Sequence, residues 1–500
     1  MTAVAKAMSV AAVLLALAAT PSCAEARQSE VTPSTQVTQT SPSITTSTTP
    51  KAAPDKAFDT VSKLVDDAIA AHKLPGAVVV VGHGGTTVFE RAFGLRKLAG
   101  EPGPDGAPTP EEPMTEDTIF DLASLTKSLA TATAVMQLYE QSKVRFDDPV
   151  QKYLPDFNLA SDPLRADVTL RMLLTHTSGL VGEIDLGGPW GLDGGDKAEG
   201  IYRALTKPLE SAPGAVFRYS DINFILLGLI IERITGQPED VYVQQNIFAP
   251  LGMGDTRYLP PSKACGPHRI RGSAVALSTE PPTTCVAGEW DAGLLSRIAP
   301  TARDEEGRAD PGANPDLDFL LRGTVHDPTA RRMGGVAGNA GLFSTARDVG
   351  IYAQALLDRL AGRASKFPLR QETVQLMTTP QQPGHTSQQV RDANAATQEA
   401  IATSPNTEHP LLAPHYPAIA GQNLRGFGWD IDTGHSKPRG MVFPIGSFGH
   451  VGFTGTSLWI DPGSDTYVVL LTNVIHLRGS APITNLQGEL ATLAARALRL

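Results

Sequence analysis

The sequence predicts an α/β fold in which one sheet is assembled from both ends of the chain and a mainly helical lobe is inserted between them. Three observations lead there. A β-branched run near residue 80 ends in a glycine-rich turn, two strand-like runs lie near residues 460 and 470, and the stretch between them is largely apolar and helical in period. With 41% hydrophobic and 19% charged residues among 500, the chain can bury a large core. Length alone would allow two or three units, although α/β enzymes with insertions often exceed the usual domain size. The net charge of −10 argues against nucleic acid, which is bound by clustered Lys and Arg that displace counterions, and no basic block occurs.

The first 26 residues read as a signal peptide. Lys6 precedes an apolar stretch over 7–19 that is too short to span a bilayer comfortably, and Ala24-Glu25-Ala26 offers a small-x-small cleavage site. Two rivals stand beside this reading: lipidation at Cys23, for which Thr20-Pro21-Ser22 is a poor lipobox, and a retained anchor. Residues 27–55, dominated by Ser, Thr and Pro, have too little apolar surface to offset the entropy of ordering and are expected to form a disordered tether. These features predict an exported protein of the periplasm or cell envelope, with a membrane tether through the N-terminus as one option.

The folded body is expected over 56–500. Phe58, Val61, Val65 and Ile69 recur at helical spacing until Leu74-Pro75-Gly76. Residues 77–81 and 86–93 then form a hairpin around Gly82-His83-Gly84-Gly85. A helical middle follows over 119–249, and residues 380–420, rich in Gln, Ala, Pro and Thr, read as a long loop. Strands are expected at 456–460 and 467–473, joined by Asp461-Pro462-Gly463, and a helix over 483–498. An exported location permits a disulfide between Cys265 and Cys285, which the residues alone leave open. Without a CxxC, HExxH or His cluster, neither a metal nor a cofactor is expected.

The chemistry lies in the middle segment. Ser124 and Lys127 fall three apart on an apolar helix, so they share a face. A serine hydroxyl needs a base to attack, and a lysine desolvated among apolar neighbours can serve as one. The bland alternative is an exposed surface pair. Tyr219, in Phe217-Arg218-Tyr219-Ser220-Asp221, is placed to pass a proton to a leaving group, or is simply a half-buried aromatic. The run Phe448-Gly449-His450-Val451-Gly452-Phe453-Thr454-Gly455 suits a strand edge that approaches a ligand closely, or a plain glycine-rich hairpin.

Together, these segments resemble the serine β-lactamase, penicillin-binding protein and class C-like esterase superfamily, in its low-molecular-weight carboxypeptidase-like branch. The three family motifs, Ser-x-x-Lys, Tyr-x-Asn and Lys-Thr-Gly, stand here in order as Ser124-Leu125-Thr126-Lys127, Tyr219-Ser220-Asp221 and His450-Val451-Gly452. The resemblance covers roughly 57–498. It implies an α/β/α sandwich with an antiparallel sheet and an inserted helical lobe. It also implies Ser124 as nucleophile, Lys127 as base, Tyr219 as proton shuttle and an oxyanion hole from the N–H groups of Ser124 and Phe453, with Asp221, His450 and Gly452 lining the substrate. The implied reaction is acyl transfer through an ester on Ser124.

Two departures bear on the substrate. Asp221 replaces the family's Asn and is expected to pair with Lys127, weakening it as a base unless Tyr219 shares the role, while Asn223 offers a substitute amide. His450 replaces a lysine and is expected to carry only partial charge near neutrality, a weaker pull on a substrate carboxylate. Peptidoglycan D-alanyl peptides or small esters are therefore the expected substrates, with a β-lactamase or a non-catalytic wall-peptide sensor as alternatives. His176 is expected to bond loop backbone, His326 and Asp327 to be structural, and Trp190 to sit on a mobile lip or anchor a loop.

Overall fold

The computed structural model describes residues 56–500 except 279–283, 307, 309–311, 313 and 315. The signal peptide and the tether lie outside the described residues.

The helix α1 (Asp59–Ala70) leads into β1 (Gly76–His83) and β2 (Thr86–Lys97). Gly84 and Gly85 adopt φ of 59° and 85°, the left-handed pair of a type I′ turn, whose twist matches that of the strands it joins. A short β3 (Glu112–Pro113) follows, then α2 (Thr133–Glu140), α3 (Asp221–Thr235) and α4 (Ala346–Leu360). The C-terminal part supplies β4 (Leu424–Arg425), β5 (Asp430–Asp432), β6 (Phe448–Val451), β7 (Ser457–Asp461) and β8 (Thr466–Thr472), and closes with α5 (Thr484–Ala497). The main sheet runs β4-β5-β6-β7-β8-β1-β2-β3, antiparallel throughout. β8 from the end of the chain lies beside β1 from its start, with Ala77 opposite Thr472 and His83 opposite Thr466.

Side chains alternate across a strand, and the central strands use both faces. Val79, Val81, Val468, Leu470 and Trp459 point into a core closed by α1 and α5. Val78, Val80, Val469, Leu471, Leu458 and Ile460 point into the larger core shared with α2, α3 and α4. Each of these buried side chains is worth about 1.5–3 kcal/mol over its exposed state. This two-sided burial explains the near-continuous apolar runs in β1, β7 and β8, and it builds the expected α/β/α sandwich. The helical lobe carries α3 and packs on the α2 side of the sheet.

One expectation fails. Residues 387–403 of the stretch read as a long loop form a helix, Ser387–Thr403. The Thr386 side chain accepts from the Gln389 N–H while the Gln389 side chain accepts from the Thr386 N–H, so the first turn is closed by a capping box. Ala393 is its one buried residue. A helix this polar has no apolar stripe, and periodicity was therefore blind to it.

Cys265 and Cys285 are joined in a disulfide across a separation of 20 residues. A loop of that size restricts the unfolded chain, so Cys285→Ser is expected to lower stability by about 3 kcal/mol. Urea unfolding of the variant against the oxidised parent measures the loss, and a reductant should bring the parent to the variant's midpoint.

Candidate active site

The segment that carries Ser124 turns sharply. Ala123 sits at φ 46°, a left-handed conformation, after a short strand Phe120–Asp121 that pairs with Phe343 and Ser344. The helix begins with a six-residue π-helical stretch, Lys127–Ala132, that runs on into α2. Ser124 thus stands immediately before the helix and stays partly exposed, whereas Lys127 is fully buried. The Lys127 ammonium donates to Ser124 Oγ at 2.9 Å and to the Asn339 carbonyl at 2.9 Å, and its Nζ lies 2.6 Å from Asp221 Oδ1. Two of its protons are thus hydrogen-bonded, and Asp221 balances its charge. Burial opposes the charge, but Asp221 and Tyr219 outweigh it, and the ammonium pKa is held above its usual value.

Tyr219 lies beside Lys127 and Ser124, both of which act on its phenol, and its ring centre is 5.1 Å from Nζ. Burial pushes the phenol pKa up against the pull of Lys127, so it rests protonated. Asp221 is the first residue of α3, where the helix dipole favours an anion, and its N–H donates to the Gly182 carbonyl at 2.7 Å. The expected pairing of Asp221 with Lys127 is present. His176 backs this loop: its Nδ1 accepts from the Ser220 N–H at 3.2 Å and the Asn223 amide at 3.1 Å, and its ring lies 4.4 Å from that of Tyr219. Burial keeps His176 neutral, with its pKa well below the usual value. Asn223 is not a substitute for the missing motif amide. It is fully buried, and its Oδ1 accepts from Ser178, so it braces the loop instead.

The end of β6 is sewn to the Ser124 segment. Thr454 Oγ1 donates to the Asp121 carbonyl at 2.8 Å and Thr456 Oγ1 to that of Leu122 at 3.1 Å. A Cβ on Gly452 would fall 2.5 Å from the Leu122 oxygen, so only glycine permits this approach. Among the described residues, the N–H groups of Ser124 and Phe453 have no protein acceptor. Phe453 is 74% exposed and stacks on His326, with ring centres 5.7 Å apart, beside a cavity of about 300 Å³ lined also by Arg303, Arg331 and Leu477.

His450 differs from expectation. It is buried, and desolvation drives its pKa down to about 3, with Arg425 adding to the effect against the opposing pull of Asp430. Its Nδ1 lies 2.8 Å from the Val451 carbonyl and its Nε2 lies 3.2 Å from Arg425 Nη2, so a neutral ring donates from Nδ1 and accepts at Nε2. The positive charge at this end of β6 belongs to Arg425 on β4, which pairs with Asp430. Burial opposes the Asp430 charge, yet Arg425 holds its pKa down to about 2. Arg425, Asp430 and Asn339 were not singled out from the sequence, because each reaches the site only through the folded sheet or a loop 200 residues away.

The remaining expectations can be placed. Asp327 caps the short helix Pro328–Arg332 and accepts from Ala330 N–H at 2.7 Å and from the Asn339 amide at 3.3 Å, while burial and the nearby Asp221 push its pKa up. The His326 N–H donates to Asp121 Oδ2 at 2.7 Å, and burial lowers its ring pKa to about 4. Trp190 lies between the guanidinium groups of Arg203 and Arg332, at 4.9 and 5.3 Å, which anchors its loop.

The chain resembles known proteins along most of its length. It is 29% identical over 412 residues to an Escherichia coli K12 protein named "Putative D-alanyl-D-alanine carboxypeptidase", covering 80% of this chain and 78% of that one. It is 30% identical over 434 residues to the N-acetylmuramyl-L-alanine amidase of Bacillus subtilis strain 168, covering 83% and 80%. Among solved structures, the simvastatin synthase LovD of Aspergillus terreus superposes with a TM-score of 0.57 at 23% identity, over 89% of this chain and 99% of that one. The family model described as Beta-lactamase matches residues 61–491, and the chain therefore belongs to the Beta-lactamase family of serine hydrolases.

Proposed function

We propose that the protein hydrolyses D-alanyl peptides of peptidoglycan through an ester on Ser124. The observation that carries this reading is Ser124 Oγ 2.9 Å from Lys127 Nζ, with two unengaged backbone N–H groups beside it. At rest Lys127 is a cation paired with Asp221, so a proton must move before the lysine can act as a base. A bound substrate covers Asp221, the partly exposed partner, and in the drier site the neutral amine and carboxylic acid gain on the ion pair. With its proton passed to Asp221, Lys127 takes the Oγ proton as Oγ attacks the acyl carbon. The carbonyl electron pair moves onto oxygen, which the N–H groups of Ser124 and Phe453 receive. As the tetrahedral centre collapses, the leaving group takes the Tyr219 proton and Lys127 returns one to Tyr219. Water repeats the sequence on the ester, frees the acid and restores Ser124.

The name of the Escherichia coli relative supports a D-alanyl peptide, and with it a place in the cell envelope. Among the described residues, no helix is long and apolar enough to cross a membrane. Small esters are the second reading. His450 is neutral and Asp430 offsets Arg425, which leaves no net charge there to draw in a terminal carboxylate. The same feature disfavours a β-lactam.

Intact mass after exposure to a fluorophosphonate and, separately, to a penicillin should show an adduct that Ser124→Ala abolishes; no adduct with either reagent would sink the enzymatic reading. Turnover of a D-Ala-D-Ala peptide, a p-nitrophenyl ester and nitrocefin should rank the peptide or ester above nitrocefin. Ser124→Ala should cost on the order of 10⁴-fold or more in kcat.

Asp221→Asn removes the internal proton acceptor, so Lys127 must lose its proton to water. At pH 7, kcat/KM should fall on the order of 10²-fold and then rise with pH, as expected for a lysine that ionises above neutrality. The parent should show no such rise. A variant as active as the parent and equally without a rise would remove Asp221 from the scheme.

A further inference from the structure

A second buried carboxyl lies behind Lys127, and the scheme above does not use it. Glu239 is 1% exposed, and its Oε1 is 2.6 Å from Thr131 Oγ1. Thr131 is four residues after Lys127 on the same π-helical stretch, and its Oγ1 is also 2.8 Å from the Gly338 carbonyl. The next carbonyl along, that of Asn339, is the one that accepts from Lys127 Nζ.

Counting protons constrains this chain of contacts. The Thr131 hydroxyl has one proton, and the Gly338 carbonyl has none to give. Both contacts are hydrogen bonds only when Glu239 is protonated and donates to Thr131, which then donates to Gly338. An ionised Glu239 instead takes the Thr131 proton for itself, since a charged acceptor outcompetes a carbonyl, and the Gly338 oxygen is left without it. The segment has little freedom to compensate. A Cβ on Gly338 would fall 2.1 Å from the Phe224 oxygen, so the segment lies directly on the α3 backbone.

We propose that Glu239 is a proton-operated positioning residue: when protonated it completes the Thr131–Gly338 tie that sets the Asn339 carbonyl on Lys127, and when ionised it releases that tie. The inference rests on the reading of Ser124 and Lys127 given above. Burial places the switch in a useful range, pushing the Glu239 pKa up to about 7 against the Thr131 hydrogen bond. The surrounding charges are otherwise matched. Glu232 accepts from the Glu239 N–H at 2.9 Å and pairs with Lys197, and Asp240 pairs with Lys263. The Tyr258 phenol, 3.3 Å from the Ala337 carbonyl, is kept protonated by burial and by these carboxylates.

The test is the pH dependence of Ser124 labelling by a fluorophosphonate, with hydrogen exchange of the 336–341 segment followed in parallel and corrected for intrinsic rates. In the parent, labelling should drop about tenfold between pH 6 and 8.5, a usual size for coupled sites, and exchange should rise together with it. Glu239→Gln donates permanently to Thr131 and should abolish both changes, holding the low-pH values. Thr131→Ser keeps the hydroxyl and should retain the parent's profile. Thr131→Val should react slowly and without the pH step. Parent-like pH steps in Glu239→Gln would overturn the proposal, as would a parent with none. Absent labelling at every pH would count against Ser124, while exchange alone would still decide on Glu239.

Discussion

The arrangement around the Lys127 ammonium is the constraint on which the rest of the site depends. A buried cation costs several kcal/mol unless each proton finds an acceptor. Here two acceptors and one counter-charge come from three places: the turn before the lysine's own helix, a loop more than 200 residues along the chain, and the first residue of α3. The helical lobe supplies Asp221 and Tyr219, the turn supplies Ser124, and the loop supplies the Asn339 carbonyl. Burying the lysine therefore forces lobe and sheet together, and the cleft between them follows. In the proposed scheme, the same pairing that stabilises the resting site also silences the base until a substrate redistributes the proton.

How much of this was legible in the sequence depends on how local each signal is. The turn at Gly84-Gly85, the strands β7 and β8 and the terminal helix were readable to within one or two residues, because turn chemistry and apolar runs are written in adjacent positions, whereas β2 runs four residues past its expected end at 93. Ser124, Lys127 and Tyr219 were readable only as a set, since each motif taken singly has a bland alternative. The polar helix over 387–403 was not readable, because its stability comes from a capping box and helix propensity rather than from an apolar face.

His450 and Asn223 mark the limit more sharply. Residue type suggested a partly charged histidine and a spare amide, and both inferences assumed solvent. The fold buries His450 against Arg425 and spends Asn223 on Ser178 and His176. Neither partner is near in sequence, so no local pattern could have revealed the change. Arg425 carried no motif of its own, and its importance comes from where β4 lies in the sheet.

The pairing of β8 with β1 also has a bearing on how the protein is made. Contacts between residues nearly 400 apart close a very long loop, and that entropy is lost before any pairing energy is gained. Such topology is slow to form and leaves strand edges open meanwhile. The strand β6, whose end meets the Ser124 segment, belongs to the late half of the sheet, so a nascent chain holding Ser124 and Lys127 in full lacks the other side of the proposed site until its last quarter arrives. On the proposed scheme, competence is thus tied to completion of the sheet, and a chain broken off before β6 could not form the ester on Ser124.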